Sequence, residues 1–219
     1  MIFILLHIPL TYFVRKSPLH KVQQQVGFRQ YKEAKVLLDQ MINESNTVNI
    51  ELYNLRAKCN LNLNFVDQCI NDVNTILNSN STEIERNEAY TTLSQLYAKM
   101  GDLQKAEEYS ILSNSSKTIN HIKDLQKMYL QFESFYQQNK IEDAAAILDK
   151  ILELSPLNNN LILNRTEIAW NQRDYGNYTK YSSNFEVKYP KDSKVTFRKA
   201  ITLMCNASLS NSTSKFKQC

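Results

Sequence analysis

Apolar residues recur three and four apart from about residue 17 to residue 206, broken at intervals by short polar stretches. That periodicity predicts a run of amphipathic helices and an all-α chain. One stretch sets the pattern. In AYTTLSQLYAKMGDLQKAEEYS, residues 89–110, Tyr90, Leu93 and Tyr97 form one apolar stripe, and Gly101 and Asp102 then supply a turn. Leu103, Ala106 and Tyr109 begin a second helix. Ser94 and Ala106 are small where two antiparallel helices would cross most closely. A bulky side chain at either place would wedge the pair apart and forfeit its contacts.

The same layout recurs. Ala144 follows a polar turn and leads to Leu148, Ile151 and Pro156; Tyr178 leads to Ser182, Phe185 and Pro190. Earlier in the chain Ala34 leads to Leu38 and Met41, and Cys69 to Val73 and Ile76. The anchors Ala34, Cys69, Ala106, Ala144 and Tyr178 are 35, 37, 38 and 34 residues apart. A period near thirty-four, built as helix, turn, helix, resembles the tetratricopeptide repeat (TPR) over residues 15–206. That resemblance implies an α-solenoid of about five hairpins in a right-handed superhelix, ended by a terminal helix over 193–206, with a polar, disordered tail at 207–219. Two positions depart from the pattern: Tyr178 is large where a small residue is usual, and Asn60 is polar where an aromatic usually packs.

Composition narrows the function. Three Gly and four Pro argue against turn-rich β folds and against a Gly-rich phosphate loop. A net charge of +4, without a dense Lys/Arg run, gives no footprint for nucleic acid. His7, His20 and His121 are scattered with no Cys or second His at ligand spacing, so no metal or other cofactor is expected. Acidic pairs such as Glu107/Glu108 and Glu142/Asp143 read as solvated helix faces rather than acid–base machinery, and the chain reads as a non-enzyme.

Residues 1–14, MIFILLHIPLTYFV, are apolar and meet Arg15 and Lys16. The run is shorter than the ~20 residues of a membrane span and suits the apolar core of a signal peptide or signal-anchor. Membrane contact is expected only through it, if it is uncleaved. Asn-x-Ser/Thr acceptors at Asn43, Asn80, Asn114, Asn164, Asn177, Asn206 and Asn211 exceed what the Asn-rich composition gives by chance. Both features point to the endoplasmic reticulum or secretory pathway. There a disulfide between Cys59 and Cys69, across one short turn, becomes possible; two buried thiols are the alternative.

In a TPR array the first helices of successive hairpins line a concave groove. Here the resemblance assigns to it Asn54, Lys58, Leu61, Thr91, Gln95, Tyr129, Glu133, Tyr136, Leu163, Glu167, Trp170 and Phe197. The C-terminal half of that series is aromatic, which suits capture of apolar peptide segments. One cytosolic TPR family grips acidic chaperone tails through a two-carboxylate clamp. Asn164, Lys194 and Arg198 match three of its places, but Tyr129 and Glu133 stand where Lys and Asn are needed, and Glu133 would repel a carboxylate.

The segments ELYNLRAKCNLNLNFVDQCINDVNTIL, AYTTLSQLYAKMGDLQKAE and HIKDLQKMYLQFESFYQQNKIEDAAAILDKILELSP are more specifically similar, in repeat order and in a long helix entering the fourth repeat, to the TPR arm of endoplasmic-reticulum J-domain co-chaperones. That resemblance implies binding of unfolded or nascent client polypeptides, and contact with a heat-shock chaperone. Without a His-Pro-Asp tripeptide it does not imply ATPase stimulation, and the chain carries no Lys-Asp-Glu-Leu-type retention signal. The competing expectation is a cytosolic TPR scaffold that docks a folded partner.

Overall fold

A computed structural model of the chain describes residues 17–188 and Met204. The described residues form ten helices and no strand, the all-α hairpin class that the periodicity predicts. The N-terminal segment 1–14, the tail 207–219 and, Met204 apart, the terminal helix expected over 193–206 lie outside them.

The chain divides after Asn80 into two compact units. The first holds α1 (Pro18–Gly27), α2 (Tyr31–Glu44), α3 (Ile50–Leu63) and α4 (Val66–Leu77). The second holds α5 (Glu83–Met100), α6 (Leu103–Leu112), α7 (Ser116–Gln137), α8 (Ile141–Leu154), α9 (Asn159–Asn171) and α10 (Tyr175–Lys188). Within each unit consecutive helices pack on one another, so the described residues make five hairpins.

All five hairpin turns share one backbone geometry. Arg29, Asn64, Gly101, Asn139 and Arg173 each take a left-handed φ, between 56° and 80° for the set. The N–H of the following residue returns to a carbonyl five positions back: Gln30 to Gln25, Phe65 to Asn60, Asp102 to Tyr97, Lys140 to Phe135 and Asp174 to Ala169, at 2.8–3.0 Å. This is the Schellman closure, which satisfies the orphan carbonyls of the first helix while reversing the chain. Each left-handed residue stands five before an anchor, so turn and anchor repeat together. The anchor N–H then makes the opening bond of the second helix, as from Ala106 to the Asp102 carbonyl at 2.9 Å.

Twelve residues before each anchor lies a buried residue of the first helix: Val22, Ala57, Ser94, Phe132 and Thr166. In two hairpins this pairing is a direct contact. Ser94 Oγ donates to the Ala106 carbonyl at 2.8 Å, and Cys69 Sγ donates to the Ala57 carbonyl at 3.4 Å. A hydroxyl or thiol reaches the opposite backbone only when the helices run very close, which is why small residues stand at these crossings.

Within each unit the apolar stripes are shared from one hairpin to the next. In the first unit Val22, Ala34, Leu38, Leu52 and Cys59 cluster, with Leu19, Tyr31 and Met41 packed against them. In the second, Ile122, Leu125, Phe132, Leu148, Ile151, Leu161 and Ile168 belong to one cluster extending from Ala98 to Tyr181. Side chains such as Leu38 and Leu148, closed off from solvent, each contribute about 1.5–3 kcal/mol of burial.

A long-range tie fixes the end of α5. Ser155 Oγ donates to the Ala98 carbonyl at 2.6 Å, and the Leu157 N–H donates to the Lys99 carbonyl at 3.0 Å. Asn158 lies directly over Gly101, so any Cβ at Gly101 would collide with its side chain. Gly101 thus meets two demands, a φ of 80° and a close neighbour. Gly101→Ala is expected to cost about 2 kcal/mol or more in urea unfolding. By contrast Arg173→Gly, which relieves a left-handed arginine at an exposed turn, is expected to stabilise by about 0.5–1 kcal/mol. A loss at Arg173 as large as at Gly101 would contradict this turn geometry.

Candidate functional site: the first-helix face

Three positions of the first helix recur at the hairpin spacing. The leading position holds Asn54, Thr91, Tyr129 and Leu163; the middle holds Lys58, Gln95, Glu133 and Glu167; the trailing holds Leu61, Ala98, Tyr136 and Trp170. At the leading position Asn54 is buried, and Thr91, Tyr129 and Leu163 are half-buried. Tyr129 packs against the second unit's core, and its hydroxyl accepts a hydrogen bond from Asn158 Nδ2 at 3.0 Å. Asn158 also accepts from the Leu161 N–H as the N-cap of α9, so Tyr129 ties α7 to the start of α9. At the middle position Gln95, Glu133 and Glu167 are exposed, and Lys58 is half-buried.

The trailing position changes character along the chain. Leu61 and Ala98 are 5% and 3% exposed, whereas Tyr136 and Trp170 are 50% and 43% exposed. Ala98 is covered by the Ser155–Leu157 tie. Tyr136 rests on Phe132 with ring centroids 5.7 Å apart, and Trp170 on Tyr178 at 5.4 Å, so each ring is braced along one side and open on the other. The exposed residues of the middle and trailing positions on α7 and α9 are therefore Glu133, Tyr136, Glu167 and Trp170. Phe197 lies outside the described residues, as do Lys194 and Arg198.

The possible Cys59–Cys69 disulfide is not formed: both residues are buried thiols. They face different partners. Cys59 belongs to the core with Val22, Ala34 and Leu38, while Cys69 Sγ donates to the Ala57 carbonyl. Burial pushes the Cys59 thiol up to about 11, which keeps it protonated and unreactive at neutral pH.

Of the glycosylation acceptors, Asn43 near the end of α2, Asn80 after α4, Asn114 before α7 and Asn164 on α9 are exposed. Asn177 is half-buried, and its Nδ2 donates to Asp174 Oδ2 at 2.7 Å. Asn206 and Asn211 fall outside the described residues. Among the described residues no His, Cys, Asp and Glu are grouped to hold a metal ion, and no helix is long and apolar enough to cross a membrane.

Two partly buried ionic clamps escape motif reading. Arg56 on α3 donates through Nε and Nη2 to Asp72 on α4 at 2.6–3.1 Å, and through Nη1 to Asp39 on α2 at 2.9 Å. Asn60 Nδ2 completes the group by donating to Asp72 at 2.8 Å. Arg165 on α9 repeats the device, donating to Asp149 on α8 at 2.7 and 3.1 Å with its guanidinium 5.4 Å from the Tyr181 ring centroid. The signal in sequence was the register of the arginine: Arg56 and Arg165 are each the residue before a crossing position, Arg56 seventeen residues after Asp39 and Arg165 sixteen after Asp149.

These clamps differ electrostatically. Burial pushes the Asp72 carboxyl up against the pull of Arg56 and Asn60. Burial also works against the Asp149 carboxylate, but hydrogen bonds from Arg165 and from the Tyr181 hydroxyl, at 2.6 Å, outweigh it and hold that carboxyl below its usual range. A depressed folded-state value means that Asp149 contributes stability above the ordinary carboxylate pKa, which is lost as pH falls through the folded value. Tyr181→Phe is therefore expected to cost about 1 kcal/mol at neutral pH, discounted for the partial exposure of Asp149, and progressively less in acid. A cost that stays constant across an acid titration of urea midpoints would show that Tyr181 acts through packing alone.

No family model and no curated protein matches the chain. A solved structure similar to it is the TPR2AB-domain:pHSP90-complex of yeast Sti1, at 13% sequence identity and a TM-score of 0.43, covering 89% of this chain and 84% of that one.

Proposed function

We propose that this chain is a TPR-type protein-binding module that takes unfolded or nascent polypeptide on its first-helix face, in the endoplasmic-reticulum lumen or secretory pathway. The observation that carries the reading is the exposure of Tyr136 and Trp170 at a register where Leu61 and Ala98 are buried. Braced aromatic rings lose little side-chain freedom on binding and offer large apolar area to an extended chain. A heat-shock chaperone would have to dock by some means other than a carboxylate clamp, because Tyr129 is committed to Asn158 and Glu133 presents negative charge.

Replacing Tyr136 and Trp170 together by Ala is expected to weaken capture of a reduced, permanently unfolded protein at least tenfold, an effect on the scale of two interfacial aromatics. Helicity by circular dichroism should be unchanged, since both side chains are about half in solvent and neither belongs to the buried core. Capture equal to that of the parent would remove this face from consideration.

The alternative is a scaffold for a folded partner in the cytosol, a compartment in which thiols stay reduced. Glycan occupancy separates the two. In the lumenal reading, glycosidase treatment of protein from cells increases its mobility, and Asn80→Gln or Asn114→Gln each removes one step, both acceptors being exposed in connections between helices. An unchanged mobility would leave the cytosolic reading standing.

A further inference from the structure

We propose that the outer side of α7 docks an amphipathic helix of a partner protein, one that carries carboxylates beside its apolar stripe. Lys127, at the centre of this surface, stands nine residues before Tyr136 and so on the opposite side of α7. The inference therefore goes beyond the first-helix reading above.

On a first helix, the positions five before, one before and two after the crossing residue share one stripe. They are Leu52, Arg56 and Cys59 on α3, Ala89, Leu93 and Leu96 on α5, and Leu161, Arg165 and Ile168 on α9. All are buried except Arg56, which is half-buried. On α7 the same positions are Lys127, Gln131 and Ser134, and all three are exposed. Among the described first helices α1 alone shares that exposure, and it has no described helix before it. The residues that α7 does bury, Thr118, Ile122, Leu125 and Phe132, lie on its other side.

Elsewhere the stripe is covered by the second helix of the hairpin before. Ala34 and Leu38 of α2 share a core with Leu52 and Cys59, and Asp39 of α2 accepts from Arg56. Leu148 and Leu152 of α8 share a core with Leu161 and Ile168, and Asp149 of α8 accepts from Arg165. Each cover is thus an amphipathic helix that sets an aspartate against a cation. Five residues after its anchor, where α2 and α8 have those aspartates, α6 has Ile111, which is 62% exposed. The hydrogen bond from Gln126 to Glu107 of α6, at 2.8 Å, falls beside the stripe rather than on it.

The uncovered side of α7 suits the same kind of cover. Lys123 and Lys127 are exposed and one turn apart, and Leu130, next along that side, is 67% exposed. Neither lysine is held in an ion pair among the described residues. Gln131 and Ser134 add no charge, and Asp124 stands at the edge beyond Lys127. Two cations beside a bare leucine complement a helix whose apolar stripe is bordered by carboxylates, and they repel one bordered by lysine.

The test uses the full chain and three fluorescein-labelled helical peptides of about four turns, each with one leucine stripe, bordered by glutamate, by lysine or by glutamine, and followed by anisotropy. The glutamate peptide is expected to bind roughly tenfold or more tightly than the lysine peptide, with the margin shrinking as salt rises. Lys123→Glu with Lys127→Glu should reverse that order, and Leu130→Ala should weaken the glutamate and glutamine peptides alike. All three residues are exposed, and circular dichroism checks the fold. Tyr136→Ala with Trp170→Ala should leave the binding as it was. Equal binding of the glutamate and lysine peptides, an order unmoved by the lysine substitutions, or failure of all three peptides to bind overturns the proposal. Binding lost only through Tyr136 and Trp170 would put the peptide on the first-helix face, and this proposal would fall while the earlier reading stood.

Discussion

The close crossing of the two helices in each hairpin is the constraint on which the rest depends. Where Ser94 Oγ meets the Ala106 carbonyl and Cys69 Sγ meets the Ala57 carbonyl, there is no room between the helices for a second large side chain. A crossing so close fixes how far the turn can travel, and the Schellman closure with its left-handed residue is the short reversal that fits. The turn in turn fixes the phase of the second helix, because the anchor lies five residues beyond the left-handed position every time. Phase decides which stripe is buried, so crossing, turn and core are one decision made five times with different residues.

Those residues vary in compensated sets. Three positions along from each crossing and anchor, hairpin two has Asn60 and Asp72, hairpin three Tyr97 and Tyr109, hairpin four Phe135 and Ile147, and hairpin five Ala169 and Tyr181. In hairpin two the pair is a buried hydrogen bond at 2.8 Å; in hairpin three it is a ring stack at 5.5 Å. Either solution fills the same place, but one member of each would not. An Asn opposite a Tyr leaves a polar group without its partner, and an Asp without Asn60 and Arg56 is a buried charge left uncompensated. The polar set also spans three helices, since Arg56 holds Asp39 as well as Asp72, and the Arg165 group does the same between α8 and α10. The apparent defect at Asn60 is thus half of a different pair.

This explains what could and could not be read from the chain itself. The small anchors, the Gly101 turn and the small crossing residues were legible because each is the residue type its geometry demands; Tyr178, large at the fifth anchor, is buried all the same. Asn64 and Asn139 fit the left-handed turns almost as well as glycine does, and were legible in principle by that route. Arg29 and Arg173 were not, because arginine has no preference for that conformation and is held there by the backbone bonds around it. Asn60 was misleading because its partner lies twelve residues away on another helix. Tyr129 and Tyr136 are chemically alike, and sequence ranked them together, yet one is committed to Asn158 and the other is open to solvent. Burial at that level depends on what another segment places above the ring.

The trailing position shows how such a scaffold acquires a surface without altering its frame. At Ala98 the chain returns from α8 and lays Ser155 and Leu157 on the end of α5, so the position is filled by the protein itself and a small residue suffices. Tyr136 and Trp170 are instead about half exposed, and there the side chain can be large without entering the crossing beneath it. The crossing needs small or complementary residues on the inner side of the same helix, so the two demands fall on different faces and are met independently. The surface character can then vary at the middle and trailing positions, while stability is held by the crossing residues, the turns and the ionic clamps. That separation accounts for an aromatic and acidic face on helices whose crossing positions remain as regular as those of their neighbours.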